Sequence, residues 1–101
     1  MIKVSLMYPK EDGNTFDMAY YLNTHMPLVE RQLGSVLRGL SVDEGVDVPG
    51  APLIYMAVGH LLFDSVESFQ AAMTAHGPVL MADIPNYTNA RPAIQVNEVK
   101  M

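Results

Sequence analysis

His25 is the side chain best placed for chemistry in this 101-residue chain. It lies in the run Tyr20-Tyr21-Leu22-Asn23-Thr24-His25-Met26-Pro27-Leu28, four residues after a tyrosine and two before a proline. At about 100° per residue, Met18, Tyr21, Leu22, His25, Val29 and Leu33 share one helical face, with Asp17, Asn23, Thr24, Glu30 and Arg31 mostly opposite. An inward imidazole one turn after a tyrosine is suited to act as a general base near neutral pH. Pro27 cannot donate to the Asn23 carbonyl and biases Met26 away from helical angles. A kink or restart is therefore expected between Thr24 and Pro27, with backbone groups freed beside the ring. A core histidine bonded to one of those carbonyls is the purely structural alternative.

Asp83 follows the apolar run Val79-Leu80-Met81-Ala82 and precedes Ile84-Pro85-Asn86-Tyr87, so its carboxylate is expected to be drawn partly inward. It either pairs with His25, orienting the imidazole and holding its tautomer, or caps the Pro85-Asn86 turn. Tyr21 can donate to a substrate oxygen or simply pack with its hydroxyl at the edge. His25, Asp83 and Tyr21 form the expected catalytic set. His60 shares a strand face with Met56, Val58 and Leu62, where it either lines a cavity between two sheets or bonds across a dimer. His60, Met56 and Tyr87 are the expected ligand contacts, and the eight methionines, besides filling gaps, suit a pliable pocket for an apolar guest. His76, read as the last turn of a helix, is structural, interacting with the helix dipole.

No two histidines have the i, i+3 or i+4 spacing of paired helical ligands, and the acids are scattered, so no metal is expected. The absence of a Gly-rich phosphate loop removes the reason to expect a nucleotide, and no cofactor is expected. A net charge of −5 without a run of Lys or Arg excludes a phosphate-backbone surface, so nucleic acid is not an expected partner. With half the residues hydrophobic and 17% charged, the chain is expected to fold as one domain over residues 1–101. There is no cysteine, which fits a reducing compartment and makes the cytoplasm the default. No apolar run approaches the ~20 residues a bilayer requires, so no membrane association is expected.

Ile2, Val4, Leu6 and Tyr8 alternate with Lys3, Ser5 and Met7, the period of a half-buried strand, ending in the turn Pro9–Gly13. Asn14 or Thr15 can cap the helix that follows, with Asp17 as the third-position acid for Asn14, and Gly34 stops it. A second strand is expected over Val36–Val42, a loop over Asp43–Pro52 and a third strand over Tyr55–Phe63. Asp64 and Glu67 form a capping-box pattern for a short helix ended by Gly77-Pro78, with Val79–Tyr87 a turn or broken helix and a last strand in Pro92–Val99. The order βαββαβ predicts an α+β, ferredoxin-like domain: a four-stranded antiparallel sheet with two helices on one face. Because the strands are apolar on much of both faces, the uncovered face is expected to pair with a second copy in a homodimer.

Tyr8-Pro9, Phe16-x-x-x-Tyr20-Tyr21-x-x-x-His25-x-Pro27-Leu28, Phe63-Asp64-Ser65-x-Glu67-x-Phe69 and Asp83-Ile84-Pro85-Asn86-Tyr87-Thr88-Asn89 occur in the order found in one family. The chain resembles the ethyl tert-butyl ether degradation (EthD) family along nearly its whole length. The resemblance implies a dimeric α+β barrel, a superfamily holding cofactor-free monooxygenases, isomerases, cyclases and haem-binding relatives, and fold alone does not choose among them. Two functions are therefore expected in competition. One is a cofactor-independent acid–base enzyme, of dehydratase, cyclase or isomerase type, acting on an apolar oxygenated substrate in catabolic or secondary metabolism. The other is a non-catalytic carrier of a small apolar ligand, or an accessory with an oxygenase partner, as the family name implies.

Overall fold

The computed structural model describes all 101 residues. Its strands are β1 (Ile2–Pro9), β2 (Gly39–Glu44), β3 (Tyr55–Phe63) and β4 (Ala93–Glu98). They form one antiparallel sheet in the order β2-β3-β1-β4, the ferredoxin-like arrangement. Alternation along β1 and β3 sends Val4, Leu6, Tyr8, Ala57, Leu61 and Phe63 toward the helices, and Val4, Tyr8 and Phe63 are almost wholly buried. Lys3, Ser5, Met7, Met56, Val58, His60 and Leu62 point the other way. No helix is long and apolar enough to cross a membrane.

The first helical region starts with α1 (Met18–Tyr20), capped by Asp17, whose carboxylate accepts from the Tyr20 amide at 3.0 Å. Asn14 and Thr15, the expected caps, instead bond Pro9 and Asn89. The expected break at Pro27 is also absent as such. Met26 is helical, with φ −63° and ψ −38°. A π-helical turn over Tyr21–His25 precedes α2 (Met26–Leu33), and the Met26 amide reaches back to the Tyr21 carbonyl. The wide turn takes up the irregularity ahead of Pro27, so the backbone stays helical through Met26. The extra residue also changes the inward face: Met26 joins Tyr21, His25, Val29 and Leu33, while Leu22 is 48% exposed.

A 3-10 turn over Gly34–Val36 displaces the second strand, which begins at Gly39 and runs to Glu44 rather than spanning Val36–Val42. The last helix, α3 (Val66–Asp83), is capped one position later than expected: Ser65 accepts from the Ser68 amide at 3.1 Å, and Ser68 returns the bond. Asp64 is thereby released to pair with Arg38. Gly77-Pro78 does not end α3, which runs on to Asp83 before a 3-10 turn over Ile84–Asn86. Pro78 and Thr74 both lie on the exposed side, so the carbonyl that Pro78 leaves unpaired can be hydrated. This continuation carries Asp83 and Tyr87 to the first helix.

Candidate functional site

Two segments meet around His25. Residues 87–89 are laced to the chain ahead of α1: the Asp17 amide donates to the Tyr87 carbonyl at 2.7 Å, and Thr88 Oγ1 donates to the Thr15 carbonyl at 2.6 Å. Asn89 accepts from the Thr15 amide and donates to the Gly13 carbonyl, both at 2.9 Å. This clamp fixes the end of α3 against the π-helical turn, so Asp83 and Tyr87 face His25 across a sequence separation of about sixty residues.

His25 is 6% exposed, and its ring forms a compact cluster with two phenols that also touch one another. Tyr21 stacks on it nearly parallel, with centroids 5.5 Å apart, and Tyr87 packs tilted at 4.6 Å. Nδ1 of His25 is 2.9 Å from Oδ2 of Asp83. The other carboxylate oxygen, Oδ1, accepts from the Tyr20 hydroxyl at 2.8 Å and from Asn86 Nδ2 at 2.9 Å. Burial alone would raise the Asp83 pKa, but the bonds from Asn86, His25 and Tyr20 outweigh it and hold the group below its usual value. An ionised Asp83 accepts, so neutral His25 carries its proton on Nδ1 and its lone pair on Nε2. Nε2 has no hydrogen-bond partner in the chain, yet no buried side-chain nitrogen or oxygen is left unpaired. That atom is therefore open to the space it faces.

The space is a cavity of about 370 Å³ between the sheet and the helices. Val4, Leu6 and Leu61 form its floor, Met26 and Val29 one wall, and Phe69, Met73, Gly77 and Leu80 the other. His25, Tyr8, Tyr21 and Tyr87 line its inner end. Met81 and Ile94, which also line it, are 52% and 50% exposed, so the mouth lies between the C-terminal half of α3 and the edge strand β4. No Lys, Arg, Asp or Glu lines the cavity.

Tyr8, fully buried, was not among the expected site residues, although Tyr8-Pro9 ends β1. Its hydroxyl is 2.7 Å from that of Tyr87. Burial, the first cause in each case, pushes the phenols of Tyr8, Tyr21 and Tyr87 up, so all three stay protonated as potential donors. Tyr21 reaches over Gly59 of β3, where any Cβ would collide with its hydroxyl. Tyr20 and Asn86, which hold Asp83, were missed as well. Only their nearness to the expected Tyr21 and Asp83 pointed toward them.

The structure brings together His25, Asp83, Tyr21 and Tyr87. It does not bring His60 or Met56, which lie on the opposite face of the sheet. His60 accepts from or donates to Ser5 Oγ at 2.9 Å through Nδ1 and meets Asp43 at 3.0 Å through Nε2, all within its own chain. A strand side chain points to one face only, and the cavity is on the other. His76 is not at a helix end but midway along α3, bonded to Gln32 of α2 at 3.0 Å. No group of three or more His, Cys, Asp or Glu residues is gathered as a metal would need.

No family model and no curated protein matches the chain. Among solved structures, an EthD-like protein from Ralstonia eutropha JMP134 is 42% identical, superposes with a TM-score of 0.92, and is matched over 99% of this chain and 92% of its own. An EthD family protein from Bacillus halodurans C-125 shares 24% identity with a TM-score of 0.77, over 99% of each chain. A dimeric protein of unknown function from Bacteroides fragilis NCTC 9343, described as having a ferredoxin-like fold, shares only the fold. Its identity is 13% and its TM-score 0.54, over 97% of this chain and 94% of its own. Through its identity with the Ralstonia protein over almost its whole length, the chain belongs to the EthD-like family.

Proposed function

We propose that the chain binds an apolar, oxygenated small molecule in the cavity and that His25 acts on it as a general base. The observation that carries this reading is the orientation of His25: Asp83 accepts the hydrogen bond from Nδ1–H, which leaves Nε2 unshared on a side chain that lines an apolar cavity. The cavity volume lies in the range of small-molecule sites. His25 removes a proton from the carbon beside a carbonyl, Asp83 steadies the imidazolium, and a neutral tyrosine hydroxyl, Tyr21 first, donates to the oxygen that gains charge. This is the elementary step shared by dehydration, cyclisation and isomerisation through an enolate.

The test uses 2-tetralone in deuterated buffer, with exchange of its acidic hydrogens followed by proton NMR. Exchange above the buffer rate that disappears in His25→Ala, with the melting temperature preserved, is the expected result. Equal exchange by the two proteins would remove His25 as the base. Binding of the ketone without enhanced exchange would favour the second reading, a carrier or oxygenase accessory, which is supported by a lining almost wholly apolar apart from its inner end.

The working unit in this proposal is a homodimer. Met7, Met56, Val58 and Leu62 are only half-buried on the face that no helix covers, and a fold neighbour is described as dimeric. Sedimentation of the wild-type chain should give twice the monomer mass, and Val58→Asp should return it to the monomer.

A further inference from the structure

We infer that the cavity selects a neutral, planar aromatic compound bearing a hydroxyl hydrogen-bond donor, such as a phenol or an enol, over its ether and carboxylate counterparts, and that Asp83 sets this preference. The inference rests on the binding reading above and goes further by assigning the ligand's chemical class. Three features lead to it.

The first is polarity of the hydrogen bond. Asp83 presents Oδ2 to Nδ1 of His25, so Nε2 offers a lone pair and no hydrogen to the cavity. An acceptor on the wall is satisfied by a donor on the ligand. A hydroxyl supplies one, whereas an ether or an ester oxygen leaves Nε2 unpaired in an apolar surround, a costly arrangement. The tyrosine hydroxyls do not reverse this, because a donor such as Tyr21 can serve the oxygen of a hydroxyl and that of an ether alike, and only the hydroxyl also has a hydrogen for Nε2.

The second is charge. The cavity wall carries no Lys or Arg, and behind the imidazole sits the Asp83 carboxylate. A ligand carboxylate would enter an apolar space with no cation to meet it, and would face a like charge across the ring. The third is shape. Tyr21, Tyr87 and Phe69 supply aromatic walls, and the exposed rim at Met81 and Ile94 allows a flat body to lie inward with its hydroxyl at His25.

The role of Asp83 follows from its fixed orientation. Two donors, from Tyr20 and Asn86, hold Oδ1, leaving only Oδ2 for His25. In Asp83→Asn the amide oxygen stays with those two donors and the amide nitrogen turns to His25. Nδ1 must then accept, which moves the imidazole proton to Nε2. The wall changes from acceptor to donor with no change in cavity shape, so the ligand preference should invert.

The experiment is calorimetric titration of the full chain at pH 7.5 with 2-naphthol, 2-methoxynaphthalene and 2-naphthoate. Naphthol should bind roughly threefold to tenfold tighter than the ether, the factor that one net hydrogen bond carries, and naphthoate should bind weakest. Asp83→Asn should favour the ether over naphthol. His25→Phe, which keeps an aromatic ring in the stack, should bind both and discriminate between neither, and it serves as the check if the Asn variant does not fold. An ether bound as tightly as naphthol by the wild-type chain, or a preference unchanged by either substitution, would overturn the inference while leaving the cavity as a binding site. Failure of all three probes to bind would overturn both.

Discussion

The chain contains two histidine–aspartate pairs of nearly equal length, 2.9 Å for His25–Asp83 and 3.0 Å for His60–Asp43, and they differ in everything that matters for chemistry. In the first, the two side chains are 7% and 13% exposed; in the second, the Asp43 carboxylate is 69% exposed. His60 spends both ring nitrogens inside the chain, on Ser5 and Asp43, and is saturated. His25 spends one and leaves the other facing an apolar cavity. The sequence Ser-His-Asp at His60 has the residue types of a nucleophile relay, but Ser5 lies mid-strand with its backbone committed to neighbours on both sides. What distinguishes a site here is an unshared lone pair beside an apolar cavity, not the presence of a dyad.

The widest separation between the two pairs should appear in proton transfer. His25→Ala should lower ketone exchange by about 10²–10⁴-fold, the usual weight of a positioned base, and His60→Ala should leave it unchanged. Comparable losses in the two variants would erase the distinction. Next in size is Gly59→Ala. The added methyl meets the Tyr21 hydroxyl that stacks beside His25, and overpacking of this kind costs about 1–3 kcal/mol. Denaturant melts should show that loss, and Tyr21→Phe in the same chain should recover part of it. No recovery would mean that the strain is released elsewhere than under the His25 stack.

The sequence made one of these two pairs legible and not the other. His25 was readable because helical periodicity puts it with Tyr21, and Asp83 because an acid after four apolar residues needs a partner. The strand order and the sheet were readable from alternation and from turn residues. The fate of Gly77-Pro78 was not, because a proline ends a helix only when its freed carbonyl has nowhere to go, and solvent exposure is a property of the folded chain. The π-helical turn was hidden for a similar reason: Pro27 announces an irregularity without saying on which side it is absorbed. His60 points away from the cavity between sheet and helices, because a strand's period gives two faces but does not say which one meets the helices. Asp43, its partner, lay in a segment read as loop.

Acid sharpens the comparison at a smaller scale. The folded Asp83 pKa lies below its unfolded value, near 3.9, so its bonds stabilise the fold fully above that value. That stability is lost as pH falls through the depressed folded pKa. Asp83→Asn should therefore remove part of the difference in stability between pH 6 and pH 3, measured by urea melts at each pH. A difference equal to that of wild type would mean that the bonds from Tyr20, Asn86 and His25 carry no net stability.

The smallest expected effect is that of Asp43→Asn, and it is the most discriminating. A surface pair of this kind is worth at most a few tenths of a kcal/mol, so stability should change by less than about 0.5 kcal/mol. Asp43 has no bond other than the one to His60, so nothing dictates which way an amide at that position must turn. Its oxygen remains free to accept from Nε2, and Ser5 continues to donate to Nδ1. At position 83 the same change forces the amide nitrogen toward the ring, because Tyr20 and Asn86 claim the oxygen. Nitrogen-15 NMR of the imidazoles should thus show the His60 tautomer unchanged by Asp43→Asn and the His25 tautomer reversed by Asp83→Asn. If both reverse, the dyad alone sets the tautomer. If neither does, the bonds from Tyr20 and Asn86 do not orient residue 83, and the neighbours of the carboxylate do not set the His25 tautomer.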